Sequence, residues 1–227
     1  MGTSADGILG GSGLRAGVEW STPAHALACA AGVIAEHSAS STEIIRNPHL
    51  SVEWARAAVR APRLLAAVQD AIGPRVAVEN TFLVVKWPGG FDVPWHQDGI
   101  GATLELDPGR SVSAWLAISD ATADNGCLVV AAGSHRGGYL PVSKEAAHSG
   151  ERGRADQAAG FTSDDSMAVP LRAGSAVLMD SCLLHRSGTN TNNGVRVGLN
   201  VRYVAPDGIR RRDPKSPSLD PVSGTGW

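Results

Sequence analysis

Val93-Pro94-Trp95-His96-Gln97-Asp98-Gly99 is the stretch of this sequence on which the interpretation of the fold depends. In an extended segment successive side chains point to opposite faces, so His96 and Asp98 project to the same side. An imidazole and a carboxylate on one face can bind the same metal ion. A His-x-Asp triplet is a weak signal by itself, and a third ligand has to come from another part of the chain.

His185 is the best candidate for that third ligand, within Leu183-Leu184-His185-Arg186-Ser187-Gly188. Two histidines and one carboxylate on a single face of a metal, with the other positions open, are typical of non-haem Fe(II) oxygenases. The same residue types also bind zinc. A zinc-dependent hydrolase is therefore an alternative, although neither H-E-x-x-H nor G-x-S-x-G is found in the chain.

The composition is that of a globular protein acting on small molecules. Its 227 residues suit one domain, 1–227, with a sizeable core. Hydrophobic residues make up 43% and charged residues 19%, and the formal net charge is −2. Because there is no long basic run, the charge pattern of a nucleic-acid binder is missing. Small molecules are the expected partners.

The cysteines and the apolar segments indicate a cytoplasmic protein. Cys29, Cys127 and Cys182 are odd in number and form no C-x-x-C pair, which argues against a disulfide framework or a structural zinc site. We expect reduced, buried thiols. No apolar run approaches the ~18 residues that cross a bilayer, and the start lacks the pattern of a signal peptide, so neither membrane insertion nor secretion is expected.

The first third of the chain, residues 1–74, is predicted to be mainly helical. Met1 to Gly17 is rich in Gly and Ser and is expected to form a loose arm. Helices are predicted from Pro23 to about His37, from Ser51 to Arg60 and from Pro62 to Ile72. Three histidines here have no partner at ligand spacing and are interpreted as surface or capping residues: His25, His37 and His49.

Residues 75–204 have the sequence pattern of a β-sheet protein. Apolar and β-branched segments alternate with Gly- and Pro-rich turns. Many short strands with such connections indicate a sandwich or barrel. The predicted strands are Val76–Trp87, Ser111–Ile118, Gly126–Ala131, Ser175–Asp180 and Val195–Val204, in addition to the stretch around His96.

Two polar segments interrupt or follow this core. Residues 137–166 form a long Gly- and Ala-rich insertion without a clear period, and loops of that length tend to be active-site lids or disordered segments. We expect a lid here. The tail, residues 205–227, is polar and rich in Pro and Ser. Its run Arg210-Arg211-Arg212 is interpreted as a solvated cluster.

A set of short blocks gives a more specific indication. The sequence resembles the phytanoyl-CoA dioxygenase family of Fe(II)- and 2-oxoglutarate-dependent oxygenases. The matching blocks run in the family's order from about Asn80 to Val204. They are Trp95-His96-Gln97-Asp98, Ala114-Trp115, Asp124-Asn125-Gly126-Cys127-Leu128-Val129-Val130, Gly133-Ser134-His135, and His185-x-Ser187 followed by Arg196.

The resemblance implies a double-stranded β-helix, a jelly-roll barrel that is mainly β with flanking helices. It also implies that His96, Asp98 and His185 hold Fe(II) at the mouth of the barrel. The co-substrate 2-oxoglutarate has a distal carboxylate that needs a cation, and arginine's planar fork suits it best. Arg196 lies eleven residues after His185, which is the family's spacing. The Ser187 side chain could donate a hydroxyl hydrogen bond to the same distal carboxylate.

The roles of several other residues stay open at this stage. Trp115 would form part of the co-substrate wall by resemblance, or simply pack in the core. Arg202 is the rival of Arg196. His135 is a tempting ligand, but the family uses it structurally. Lys86 and Asn80 precede the metal motif, and the pattern does not decide whether they face the pocket.

The resemblance implies that 2-oxoglutarate and O2 are consumed to oxidise a substrate C–H bond, releasing succinate and CO2. Related halogenases replace the metal carboxylate with a small residue, so Asp98 disfavours halogenation and leaves hydroxylation, desaturation or oxidative cyclisation. A short chain and a polar lid favour a small natural product, for instance a sugar-containing antibiotic intermediate. A non-catalytic jelly-roll module that binds carbohydrate or metal is the second alternative, against which Arg196 and Ser187 argue jointly.

Overall fold

The computed structural model describes residues 9–144, 156–225 and 227. The helices in these ranges are α1 (Pro23–His37), α2 (Glu53–Ala58) and α3 (Pro62–Ile72), with 3-10 turns at Pro48–Leu50, Pro108–Arg110 and Ser134–Gly137. The strands are β1 (Leu14–Glu19), β2 (Ile44–Arg46), β3 (Val76–Lys86), β4 (Val93–His96), β5 (Ile100–Gly101), β6 (Leu104–Leu106), β7 (Ser111–Ala117), β8 (Leu128–Val130), β9 (Val142–Lys144), β10 (Asp156–Ala158), β11 (Met167–Val169), β12 (Ser175–Asp180), β13 (His185–Ser187), β14 (Arg196–Val204), β15 (Ile209–Arg211) and β16 (Asp220–Ser223).

Two antiparallel sheets build the barrel. The major sheet has the order β1-β12-β7-β14-β3-β16. Both β16 and β2 pair with the same edge of β3, β16 near the start of that strand and β2 nearer its end. The minor sheet has the order β11-β8-β13-β4. Strands that are distant in sequence lie side by side in both sheets, as the jelly-roll connections require. The predicted double-stranded β-helix is confirmed.

Apolar side chains from the two sheets form a cluster inside the barrel. The major sheet contributes Trp115, Ala117, Val177 and Met179, and the minor sheet contributes Leu128, Val130 and Val169. Sheets that pack face to face need such interdigitating side chains at alternate positions. Trp115 and Leu128 of this cluster also line the cavity that holds the polar residues described below.

The helices cover the outer face of the major sheet. On β3, Leu83 and Val85 are buried on the helix side, whereas Phe82 and Val84 point the other way and are partly exposed. Buried residues of α3, such as Leu64 and Val68, belong to the same cluster. The sheet therefore has a dry side towards the helices and a second side towards the barrel interior.

Local sequence signals account for α1 and α3. Thr22 caps α1, its side chain accepting a hydrogen bond from the backbone N–H of His25, and Pro23 occupies the first turn. Gly73 ends α3 with a positive φ of 94°. Both predicted helices are confirmed, whereas the middle one is shorter than Ser51–Arg60 and covers only Glu53–Ala58.

Two segments that were not predicted as strands belong to the major sheet. The expected loose arm is wrong for its last part, because β1 (Leu14–Glu19) pairs with β12. The first eight residues of the arm lie outside the described residues. In the tail, β16 pairs with the start of β3. Neighbouring strand edges thus impose pairing on segments whose own composition does not favour it.

Two assignments of polar side chains to the surface were also wrong. His49 is only 3% exposed, and its ring shares a 2.7 Å hydrogen bond with Thr81. Arg212 is not a solvated member of its cluster, since its Nε donates to Glu79 Oε1 at 2.9 Å. Both side chains are held by partners on β3, which the local sequence cannot indicate.

The predicted insertion lies partly outside the described residues. Its described ends form β9 and β10, which pair with each other, whereas residues 145–155 are not among those described. A lid function stays a prediction. The three cysteines are buried and free, as expected. Among the described helices, none combines the length and apolarity needed to span a bilayer.

Candidate metal centre

Two neighbouring strands of the minor sheet bring the three predicted metal ligands together. His96 ends β4, His185 begins β13, and the two residues are directly opposite in the antiparallel register. Their ring centroids are 4.1 Å apart. Asp98 follows β4 and completes the group, and one potential ligand atom from each residue lies within 4.8 Å of the others.

Hydrogen bonds set the same tautomer in both histidines. His96 Nδ1 lies 2.9 Å from the carbonyl of Pro94, and His185 Nδ1 lies 3.0 Å from that of Leu183. A carbonyl can only accept, so each Nδ1 carries a proton, and a neutral ring of this tautomer has its lone pair on Nε2. Both Nε2 atoms face Asp98, at 3.9 Å from Oδ1 for His96 and 3.7 Å from Oδ2 for His185.

The electrostatics of the group favour a neutral imidazole at His96 and an ionised carboxylate at Asp98. Burial and the neighbouring His185 lower the pKa of His96 to about 4. Burial alone would raise the pKa of Asp98, but His185, Arg202, His96 and the hydrogen bonds from Asn200 outweigh it and lower that pKa well below its usual range. These are the protonation states that a divalent metal requires of its ligands.

Arg196 lies in the same cavity with unused hydrogen-bonding capacity. It is 1% exposed, and Nη2 donates to the carbonyl of Gly126 at 2.6 Å. Its Nε and Nη1 have no hydrogen-bond partner in the described parts of the chain. Burial lowers its pKa to about 10, which still leaves the guanidinium charged near neutral pH. A buried cation with free donors is a site for an anion.

Trp115 forms an aromatic wall beside Arg196. The Arg196 Cζ lies 5.3 Å from the centroid of the Trp115 ring. Gly198, two residues after Arg196 on β14, makes room for this ring, since a Cβ there would lie 2.3 Å from Trp115 Cζ2. Ser187 is buried on the same face of β13 as His185. All six predicted site residues line one cavity of about 540 Å³.

Lys86 and Asn80 have different surroundings. Lys86 is fully buried opposite Arg196, and its Nζ donates to the carbonyls of Phe91 and Ser187 at 3.0 Å each and to that of Gly188. Burial and then the Arg196 charge lower the pKa of Lys86 to about 7. Asn80 lines the cavity.

Sequence reasoning missed a polar network behind Asp98. Asn200 and Arg202 both donate to the Asp98 carboxylate, and Glu79 pairs with Arg202 on the other side. The signal was present, because Asn200 and Arg202 follow Arg196 at even spacing and therefore share its face of β14. His135 lies elsewhere, against Gly13, and is not in the metal-ligand group found among the described residues.

The family model for phytanoyl-CoA dioxygenase matches residues 30–198, which include all three residues of the metal-ligand group. The chain belongs to the phytanoyl-CoA dioxygenase family. A phytanoyl-CoA dioxygenase of Arabidopsis thaliana is 29% identical over 139 residues, covering 60% of this chain and 47% of that protein. The chain spans about half the length of the curated relatives it matches first.

Solved structures of similar fold are also known. The apo form of ThoJ, described as a non-heme monooxygenase, has a TM-score of 0.79 and 26% identity, covering 95% of this chain and 82% of that one. The epimerase SnoN, solved in complex with Fe3+, alpha-ketoglutarate and nogalamycin RO, has a TM-score of 0.69, 17% identity and coverage of 95% and 92%. The SnoN likeness concerns the fold alone.

Proposed function

We propose that this member of the family is an Fe(II)- and 2-oxoglutarate-dependent oxygenase that oxidises a C–H bond of a small natural product. The observation that carries the proposal is the convergence of His96, Asp98 and His185, with both Nε2 lone pairs turned towards the carboxylate. The buried, partly unpaired Arg196 in the same cavity supports the co-substrate assignment.

The residues present fit divalent iron. Two neutral imidazoles and one carboxylate form the facial set that leaves coordination positions open for other molecules. His96, Asp98 and His185 would be the protein ligands. When bound, the iron with 2-oxoglutarate and O2 supplies the oxidising power for C–H cleavage, and the co-substrate leaves as succinate and CO2.

The protein's own contribution is binding and orientation. Arg196 would pair with the distal carboxylate of 2-oxoglutarate through its free N–H groups, and Ser187 would donate its hydroxyl to the same carboxylate. Trp115 would close one side of this pocket and exclude water. Fixing the co-substrate in one orientation lowers the entropic cost of bringing reactants together.

The cavity supports a small substrate of mixed polarity. About 540 Å³ is within the usual range for small-molecule sites. Phe82, Phe91 and Ile100 offer apolar walls, whereas Arg46 and Arg212 offer charge. A sugar-containing antibiotic intermediate fits this description, and the similar fold of SnoN, whose structure contains nogalamycin RO, supports screening such compounds. A cytoplasmic location, where thiols stay reduced, is part of the proposal.

Anaerobic titration of the protein with Fe(II) and 2-oxoglutarate tests the proposal. We expect a weak visible charge-transfer band, and we expect Asp98→Ala to lose both this band and iron-dependent succinate formation after O2 is admitted. Asp70→Ala is the matched control, because Asp70 lies on the surface of α3, where it pairs with Arg15.

The same experiment separates the alternatives. A folded protein that binds Fe(II) without producing the band would be a metal-binding module. Hydrolytic activity restored by zinc, without succinate, would identify a zinc hydrolase. Full activity of Asp98→Ala would disprove the ligand assignment.

A further inference from the structure

The Asp98 carboxylate is held from behind by a neutral amide. Asn200 Nδ2 lies 3.1 Å from Oδ1 and 3.0 Å from Oδ2, so one NH2 group donates to both oxygens. Asp98 is 2% exposed, and a buried carboxylate needs such donors if it is to stay ionised. The two histidines approach the same carboxylate with their Nε2 atoms.

Asn200 is itself rigidly placed. It lies in the middle of β14, paired with Trp115 of β7 on one side and with Phe82 of β3 on the other. Backbone pairing on both sides fixes the direction of its side chain, because successive residues of a strand alternate faces. A side chain on a central strand holds a metal-binding residue more precisely than a side chain on a loop does.

Arg202 is the second donor to Asp98, and a series of charged side chains holds it in place. Arg202 Nη2 lies 3.4 Å from Asp98 Oδ1, and Arg202 Nη1 lies 4.0 Å from Glu79 Oε2. Glu79 is held in turn by Arg212, which donates through Nε at 2.9 Å and also bonds the carbonyl of Pro217 at 2.6 Å. Arg202 thus divides its charge between two carboxylates, whereas Asn200 serves Asp98 alone among its described side-chain contacts.

We infer that Asn200 is a positioning residue for the metal carboxylate, holding Asp98 in the orientation that binds a divalent cation together with His96 and His185. The inference rests on the proposed metal site and adds a residue that its ligand set does not contain. Partners that orient a ligand typically change metal affinity by about 10–100-fold when they are removed. A neutral donor orients the carboxylate without adding a positive charge that would repel the metal.

Metal titration of the apo protein tests this inference without relying on activity. We would titrate Co(II) by calorimetry and record the visible spectrum of the loaded protein. We expect Asn200→Ala to bind Co(II) about 10–100-fold more weakly and with an altered spectrum. Asn200→Asp keeps the shape but replaces the donor with a like charge, so it should lose at least as much affinity.

Asn80→Ala is the matched control for metal binding. Asn80 lies on the adjacent strand, opposite Arg202, lines the same cavity, and has no hydrogen bond to Asp98 within the described structure. Its variant should bind Co(II) as the wild type does. Asn200→Ser, which retains a shorter donor, should fall between the wild type and Asn200→Ala, and melting curves of each apo variant check folding.

The outcomes distinguish this inference from the proposed function. If the wild type binds Co(II) and both Asn200→Ala and Asn200→Asp match it in affinity and spectrum, the positioning role is wrong while the metal site stands. If the wild type itself fails to bind Co(II), the metal site and the positioning role are both wrong.

Discussion

Two arginines on one face of β14 have different partners, and this difference favours Arg196 as the proposed co-substrate residue. Arg196 lies over the Trp115 ring and has N–H groups without a partner among the described residues. Arg202 already contacts the carboxylates of Asp98 and Glu79. An arginine that is already paired with carboxylates has fewer donors to offer an incoming one.

Arg196→Leu should therefore weaken 2-oxoglutarate binding more than Arg202→Leu does. Charged hydrogen bonds contribute about 1.5–3 kcal/mol, which corresponds to roughly 10–150-fold in the dissociation constant. Calorimetric titration of the metal-loaded protein with 2-oxoglutarate measures this. Arg196→Lys keeps the charge but not the planar fork, so an intermediate value is expected. A larger effect from Arg202→Leu would show that Arg202 is the co-substrate residue.

At this scale the sequence predicted the three proposed metal ligands, which the structure brings together, but not the residues that support them. His96 and Asp98 share a face through local spacing, and the order of the family's blocks points to His185. The contact between Asn200 and Asp98 depends instead on how β14 lies relative to the segment after β4, which belongs to another sheet. Nothing in the spacing of two residues 102 positions apart gives that distance.

Among the elements, β14 carries much of the site because its inward positions alternate in role. Every second residue of β14 faces the barrel interior. These positions provide a cation at Arg196, space for a ring at Gly198, an amide at Asn200 and a second cation at Arg202. Because successive side chains of a strand point to opposite faces, every second residue lies on the same side of the sheet. The space at Gly198 is as specific as the polar groups, because only a missing Cβ admits the Trp115 ring.

Gly198→Ala should lower both stability and 2-oxoglutarate affinity. The added methyl group would meet the Trp115 ring at 2.3 Å, so the ring or the strand must shift. Overpacking of this kind costs typically about 1–3 kcal/mol. Urea unfolding and 2-oxoglutarate titration measure the two effects. Gly194→Ala is the control, since nothing lies within 4 Å of its added Cβ. Unchanged affinity in Gly198→Ala would remove Trp115 from the co-substrate wall.

Elements with strong local signals were predicted well, and those formed by tertiary pairing were not. Thr22 and Pro23 mark the start of α1, and the β-branched run of β3 marks a strand. β1 and β16 contain one buried residue between them, and each forms because a neighbouring strand offers unpaired backbone groups.

For the whole molecule, the sequence predicted the fold class but not the strand order. Many short strands separated by turns indicate a sandwich or barrel. Which strands become neighbours is set by long-range contacts, such as β1 beside β12 and β14 beside β3. Those pairings place two cations, Lys86 and Arg196, side by side in the interior.

Lys86 should make the stability of the apo protein depend on pH. Burial and Arg196 lower its folded pKa to about 7, whereas its pKa in the unfolded chain is near 10.4. Between these values the unfolded state binds one more proton than the folded state. The free energy of unfolding therefore gains a contribution that rises with pH across this window, by up to about 1.4 kcal/mol per pH unit.

Lys86→Met should flatten this dependence relative to the wild type. Urea unfolding at intervals between about pH 7 and 10 gives the two slopes. Burial raises the pKa of thiols such as Cys182, to about 12 in that case, so they make the free energy of unfolding fall with pH. This contribution is the same in both proteins and cancels when their slopes are compared. Lys215→Met, at an exposed position of the tail, is the control and should keep the wild-type slope. Equal slopes in Lys86→Met and the wild type would mean that Lys86 stays protonated in the folded protein, with its ammonium charge sustained by the three carbonyls that accept its hydrogen bonds.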